Sequence, residues 1–109
     1  MKPTPSREFR EKTNLLPKVI AVGALARVRK ALGPNDQATL CMRDIRWFQA
    51  HCDKRARWVH ANQPEMRIKF ETTRFAGRDW LVNFTYHWAM AFVKDPAGYR
   101  DKHLDSALV

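Results

Sequence analysis

Serine is nearly absent from this chain. Only Ser6 and Ser106 occur, both near an end, so no Ser-based nucleophile triad has its parts. Glycine is scarce too: four residues, at 23, 33, 77 and 98, are too scattered for a Gly-rich phosphate loop. Two cysteines, Cys41 and Cys52, are too few for a disulfide scaffold. Eleven residues along a helix is a rise of about 16 Å, beyond disulfide reach, so they read as two buried thiols. Cys41, His51, Cys52, Asp53, His60, His87 and His103 form no paired signature such as CxxC or HExxH. Neither a metal nor any other cofactor is therefore expected. Long apolar runs are missing as well. Val19–Ala26 is bounded by Lys18 and Arg27 and is too short for a membrane span. No secretory signal is visible, and Glu8 and Glu11 interrupt the Arg-rich start, so a cytoplasmic protein without a membrane partner is expected.

What the chain has is positive charge. Twenty Lys and Arg stand against 11 Asp and Glu, a net +9 and a pI near 10.2, which makes polyanions the natural partners. Residues 1–60 hold 13 basic and 5 acidic groups; residues 61–109 hold 7 and 6. The excess thus lies in the first half. Twelve of the basic residues are Arg, whose planar fork suits phosphate and carboxylate. The 109 residues make one domain, and 45% hydrophobic with 28% charged residues is a globular composition.

Residues 1–13 read as a flexible basic tail, with residues 14–109 forming a single domain. The spacing predicts a helix from Leu15 to Leu32, with Pro17 in its first turn and Gly33-Pro34 as the stop. Ala21, Leu25, Val28 and Leu32 recur at helical spacing, and Leu16, Ile20, Ala24 and Ala31 widen the apolar surface over most of the circumference. A second helical segment spans Gln37–Ala61, as one rod or as two broken near His51–Asp53. Its wheel puts Ala38, Cys41, Ile45, Phe48, Cys52, Ala56 and Val59 on the core side. Arg43, Arg46, Lys54 and Arg57 lie at the opposite pole, with Leu40, Trp47 and Trp58 on one flank.

After Pro64 the period changes to 2. Met66, Ile68 and Phe70 alternate with Arg67, Lys69 and Glu71, and seven consecutive even positions from Trp80 to Phe92 are large and apolar. That alternation predicts two strands joined at Ala76-Gly77-Arg78-Asp79, with Arg67, Lys69, Glu71, Asn83, Thr85 and His87 on a shared polar face. Asp95-Pro96-Ala97-Gly98 carries turn chemistry, with a third short strand expected around Tyr99. The expected fold is therefore α+β: two or three N-terminal helices on a small antiparallel hairpin or meander.

Three surfaces follow. The first is the helix face with Arg43, Arg46, Trp47, Lys54, Arg57 and Trp58, whose cations suit phosphates and whose indoles suit bases or a partner's pocket. The helix–GPND–helix order resembles a helix-turn-helix. The second is the polar sheet face, where Glu71 and His87 can exchange protons while Arg67 and Lys69 stabilise a phosphorane. The helix–helix–meander order resembles the ribosome-dependent mRNA-interferase toxins, which implies RNA cleavage there, although the leading strand of that family is missing. Phe92–Tyr99 resembles the last hairpin of glyoxalase-type metalloenzymes, but Lys102 stands where that family places an acidic ligand. The third is an aromatic patch at Trp88–Phe92, which would serve as a homodimer or partner surface. The leading expectation is a non-enzymatic binder of DNA or RNA. The alternatives are an inhibitor or adaptor docking on an acidic, nucleic-acid-like protein surface, and a metal-free RNA-cleaving toxin.

Overall fold

The computed structural model describes residues 16–63, 65 and 74–104. Helix α1, Pro17–Ala31, opens on a proline whose missing N–H costs nothing in a first turn. It stops where Leu32 turns extended ahead of Gly33-Pro34, and a single 3-10 turn, Pro34–Asp36, follows. Gln37 then folds back, its Nε2 donating to the Arg29 carbonyl at 3.0 Å, which satisfies a carbonyl that the helix end leaves open. Residues 37–41 are not helical. The Ala38 N–H donates to the Val93 carbonyl at 2.9 Å and ties this connection to the end of a later helix.

Helix α2, Met42–Asn62, runs unbroken through His51–Asp53. At 21 residues it is about 31 Å long. Asp44, three residues past Cys41, accepts the Cys41 N–H at 3.0 Å and closes the first turn. Helix α3 is Arg74–Lys94, and α4 is Pro96–Lys102. Asp95 joins them. Its carboxylate accepts the Gly98 N–H at 3.1 Å as the cap of α4. A Cβ on Gly98 would collide with that carboxylate, so the glycine is what lets the cap close.

The expected α+β fold is overturned: every regular element among the described residues is a helix, and none is a strand. The second strand, Trp80–Phe92, is the body of α3, and Gly77-Arg78-Asp79 lies inside that helix rather than in a turn. The third strand around Tyr99 is α4. Met66–Phe70 lies outside the described residues. The reason is visible on α3 itself. Even positions advance 200° per step around a helix, so they coat two flanks rather than one face. Trp80, Phe84 and Trp88 form one ridge, with ring centroids 4.9 and 6.4 Å apart. Val82, Tyr86 and Met90 form the other. Between them run Leu81, Thr85, Ala89 and Val93, all buried, at i,i+4 spacing.

α1 packs on both α2 and α3, and α4 on α3. Ala21, Ala24, Leu25 and Val28 meet Phe48 and Cys52 of α2 and Ala89, Phe92 and Val93 of α3 in one buried cluster. Small residues on both sides let the α1 and α3 backbones approach closely. Phe48 stacks on Phe92 at 4.9 Å. A second cluster joins Ile20, Ala56, Val59 and Leu81 at the other end.

Candidate nucleic-acid interface

The outward face of α2 is set by its inward one. Phe48, Cys52, Ala56 and Val59 are buried, which turns Arg43, Arg46, Lys54 and Trp58 away from the core. Arg43 and Arg46 are exposed, Lys54 is half-buried and Trp58 is 57% exposed. These four fall within an arc of about 120° over about 22 Å of helix.

The carboxylates near this face are already engaged. Asp44 pairs with Arg100 of α4 at 2.6 Å, and Asp53 with Arg57 at 2.8 Å. The Cys41 N–H, with Arg100 beside it, holds the Asp44 carboxyl below its usual range, so it stays a carboxylate committed to those partners. No ion pair to Arg43 or Arg46 is found among the described residues. Burial and the neighbouring Arg57 pull the Lys54 ammonium down from its ordinary value.

Two residues of the expected stripe are placed differently. Arg57 is bound back to its own helix, its Nε also donating to the Asp53 carbonyl at 3.4 Å. Trp47 is half-buried, stacked on His51 at 5.0 Å and on Phe92 at 5.6 Å, with Tyr99 edge-on. The i,i+4 spacing of Asp53 and Arg57 signals their pair in the sequence. Nothing local signals Asp44–Arg100, which are 56 residues apart.

The polar sheet face is not formed among the described residues. His87 is exposed on α3, while Arg67, Lys69 and Glu71 lie outside the described residues. Cys52 is buried as expected, and burial pushes its thiol up, but Cys41 is exposed ahead of α2. At Trp88–Phe92, Phe92 is fully buried and Trp88 is half-buried beneath the Arg55 guanidinium at 4.5 Å.

Behind α2 sits a polar cluster that the sequence reading passed over. His51 is fully buried, and its Nε2 lies 2.8 Å from the Tyr99 hydroxyl in a hydrogen bond. Arg55 reaches His103 Nδ1 at 3.4 Å, and the His103 ring lies against Tyr99 at 4.3 Å. Burial, with Arg55 and His103 nearby, pushes His51 down to about 3, so it is a neutral imidazole near neutral pH. Burial raises Tyr99, which keeps its hydroxyl protonated. The cluster docks α4 onto α2 and so positions Arg100 against Asp44. Among the described residues no three His, Cys, Asp or Glu side chains gather as metal ligands, and no helix is long and apolar enough to cross a membrane. No protein-family model, curated protein or solved structure matches this chain.

Proposed function

We propose that this protein binds nucleic acid through the outward face of α2, with phosphate contacts supplying most of the affinity. The observation that carries the reading is the charge pattern on that face. Arg43 and Arg46 are exposed while both neighbouring carboxylates are spent on other arginines. An isolated cation pair on a helix is best neutralised by an external polyanion, which releases its counterions on binding. Trp58, exposed on the same arc, offers a flat apolar surface for an unpaired base. The net +9 steers a polyanion toward the molecule from a distance.

The test is fluorescence anisotropy with duplex and single-stranded oligonucleotides over a salt series. Three cations, Arg43, Arg46 and Lys54, predict a log–log salt slope of about −2.7 on duplex DNA. Arg43→Glu with Arg46→Glu should weaken binding more than tenfold and flatten the slope by about two. Trp58→Ala should weaken the single-stranded probe more than the duplex. Unchanged affinity in the double variant would sink the reading.

A further inference from the structure

α1 buries one apolar side and leaves a second apolar side exposed. Leu16, Val19 and Val22 are 50%, 64% and 46% exposed, and Gly23 and Ala26 on the same side are exposed too. This uncovered side borders a groove between α1 and α3. Its apolar stretch, about 430 Å³, has Ile20, Ala24 and Val82 as floor and Leu16, Val19 and Gly23 as rim. Arg27, Arg78 and Val82 also line a polar stretch of about 600 Å³, where Asn83, Tyr86 and His87 stand. Two guanidiniums thus mark the junction of an apolar and a polar half. Asp79 lines the polar half as well and leaves it one net positive charge.

We infer that this groove takes an acidic amphipathic helix from a partner protein. Three features select that occupant. The floor residues Ile20 and Ala24 are buried while Leu16, Val19, Arg27 and Arg78 are exposed. An occupant therefore keeps its outer side in water, which suits a helix lying along a groove better than an enclosed small molecule. From Leu16 to Arg27 is about 16 Å, three turns of a docked helix, enough for apolar anchors at i, i+3 or i+4, and i+7. Charge decides the rest. Arg27 and Arg78 call for carboxylates beside those anchors, whereas a second copy of this +9 chain would bring its own cations to the same place.

The groove is partly organised in advance. The Arg27 guanidinium rests over the Tyr86 ring at 4.9 Å, which limits the freedom it would lose on pairing with an acid. A Cβ on Gly23 would meet nothing within 4 Å, so the missing side chain is open groove rather than packed interior. Between the two guanidiniums at one end and Leu16 at the other, the aliphatic stretch presents no aromatic ring on which a base could stack. This surface is separate from the α2 residues assigned to phosphate.

The test is a selection of displayed 16-residue helical peptides on the full chain, followed by anisotropy of the winning peptide. Enriched sequences should carry Leu, Ile or Phe at i, i+3 or i+4, and i+7, with Asp or Glu beside them. Arg27→Glu with Arg78→Glu should weaken the winner at least tenfold. Gly23→Leu should do the same by filling the groove, while keeping or raising the melting temperature. Arg43→Glu with Arg46→Glu should leave peptide binding unchanged, so this inference and the nucleic-acid reading fail separately. The inference is overturned by a selection that enriches no family or a Lys/Arg-rich one, or by winners that bind the Arg27/Arg78 variant equally well. A dimer that Gly23→Leu dissociates would assign the groove to a second copy. An oligonucleotide whose binding is lost with Arg27→Glu would assign it to nucleic acid. Either result overturns it as well.

Discussion

Thr85 is the residue at which polarity and packing conflict. It is fully buried on the inner stripe of α3, and its hydroxyl has no hydrogen-bond partner among the described residues. A buried hydroxyl left unpaired costs about 1–3 kcal/mol, and a methyl of the same shape removes that cost. Thr85→Val should therefore stabilise the fold by about 1 kcal/mol, read as a higher urea midpoint at unchanged slope. Tyr99 is the opposite case. Its hydroxyl is buried but hydrogen-bonded to His51, so the pair is satisfied. Trp47 and Trp58 show the same contrast in tryptophan: one stacks on two core rings and meets a third edge-on, the other stands in solvent.

At the scale of elements, α4 depends most on a single cap. It has only seven residues, too few to hold helical geometry without help. Asp95 accepts the Gly98 N–H, and Pro96 presets the first turn. Asp95→Ala should cost about 1 kcal/mol and loosen the last helix first. Faster amide exchange at Tyr99–Lys102 would show this, since Arg100 and Tyr99 are the groups that α4 delivers to α2. α3 shows why one periodicity is not enough. Its even positions are large, but Leu81, Thr85, Ala89 and Val93 at i,i+4 carry the buried seam. Three of those four are small or β-branched, so a reading weighted toward bulky side chains overlooks them. Helix formation satisfies the backbone of α3 within itself, whereas paired strands need a partner at every residue.

At the scale of the whole molecule, the buried imidazole links folding to pH. Unfolded His51 takes a proton near 6.5, while the folded one resists it down to about 3. Between those values the unfolded chain binds the extra proton, so stability rises with pH. The contribution is complete above about 6.5 and is lost as pH falls toward 3, at no more than about 1.4 kcal/mol per unit. His103 is lowered by burial as well and acts in the same direction. Urea midpoints should fall from pH 7 to pH 5 by up to about 2 kcal/mol of stability. His51→Gln should be less stable at pH 7 but less sensitive to acid over that range. An equal pH dependence in the variant would remove His51 as the cause.

The charge excess in the first half, the start and stop of α1, and the inward stripe of α2 from Phe48 to Val59 were legible in the residues, because each depends on local spacing and local backbone preference. The Asp95-Pro96 corner was legible as turn chemistry for the same reason, although its product is a helix cap. Tertiary structure alone decided that residues 80–92 form a helix, because alternation and helical spacing coexist there and burial against α1 selects between them. Tertiary structure also decided which of the described arginines pair with a described carboxylate and which do not. Arg100 reaches Asp44 only once α4 docks on His51, and that contact leaves Arg43 and Arg46 exposed with no acidic partner among the described residues.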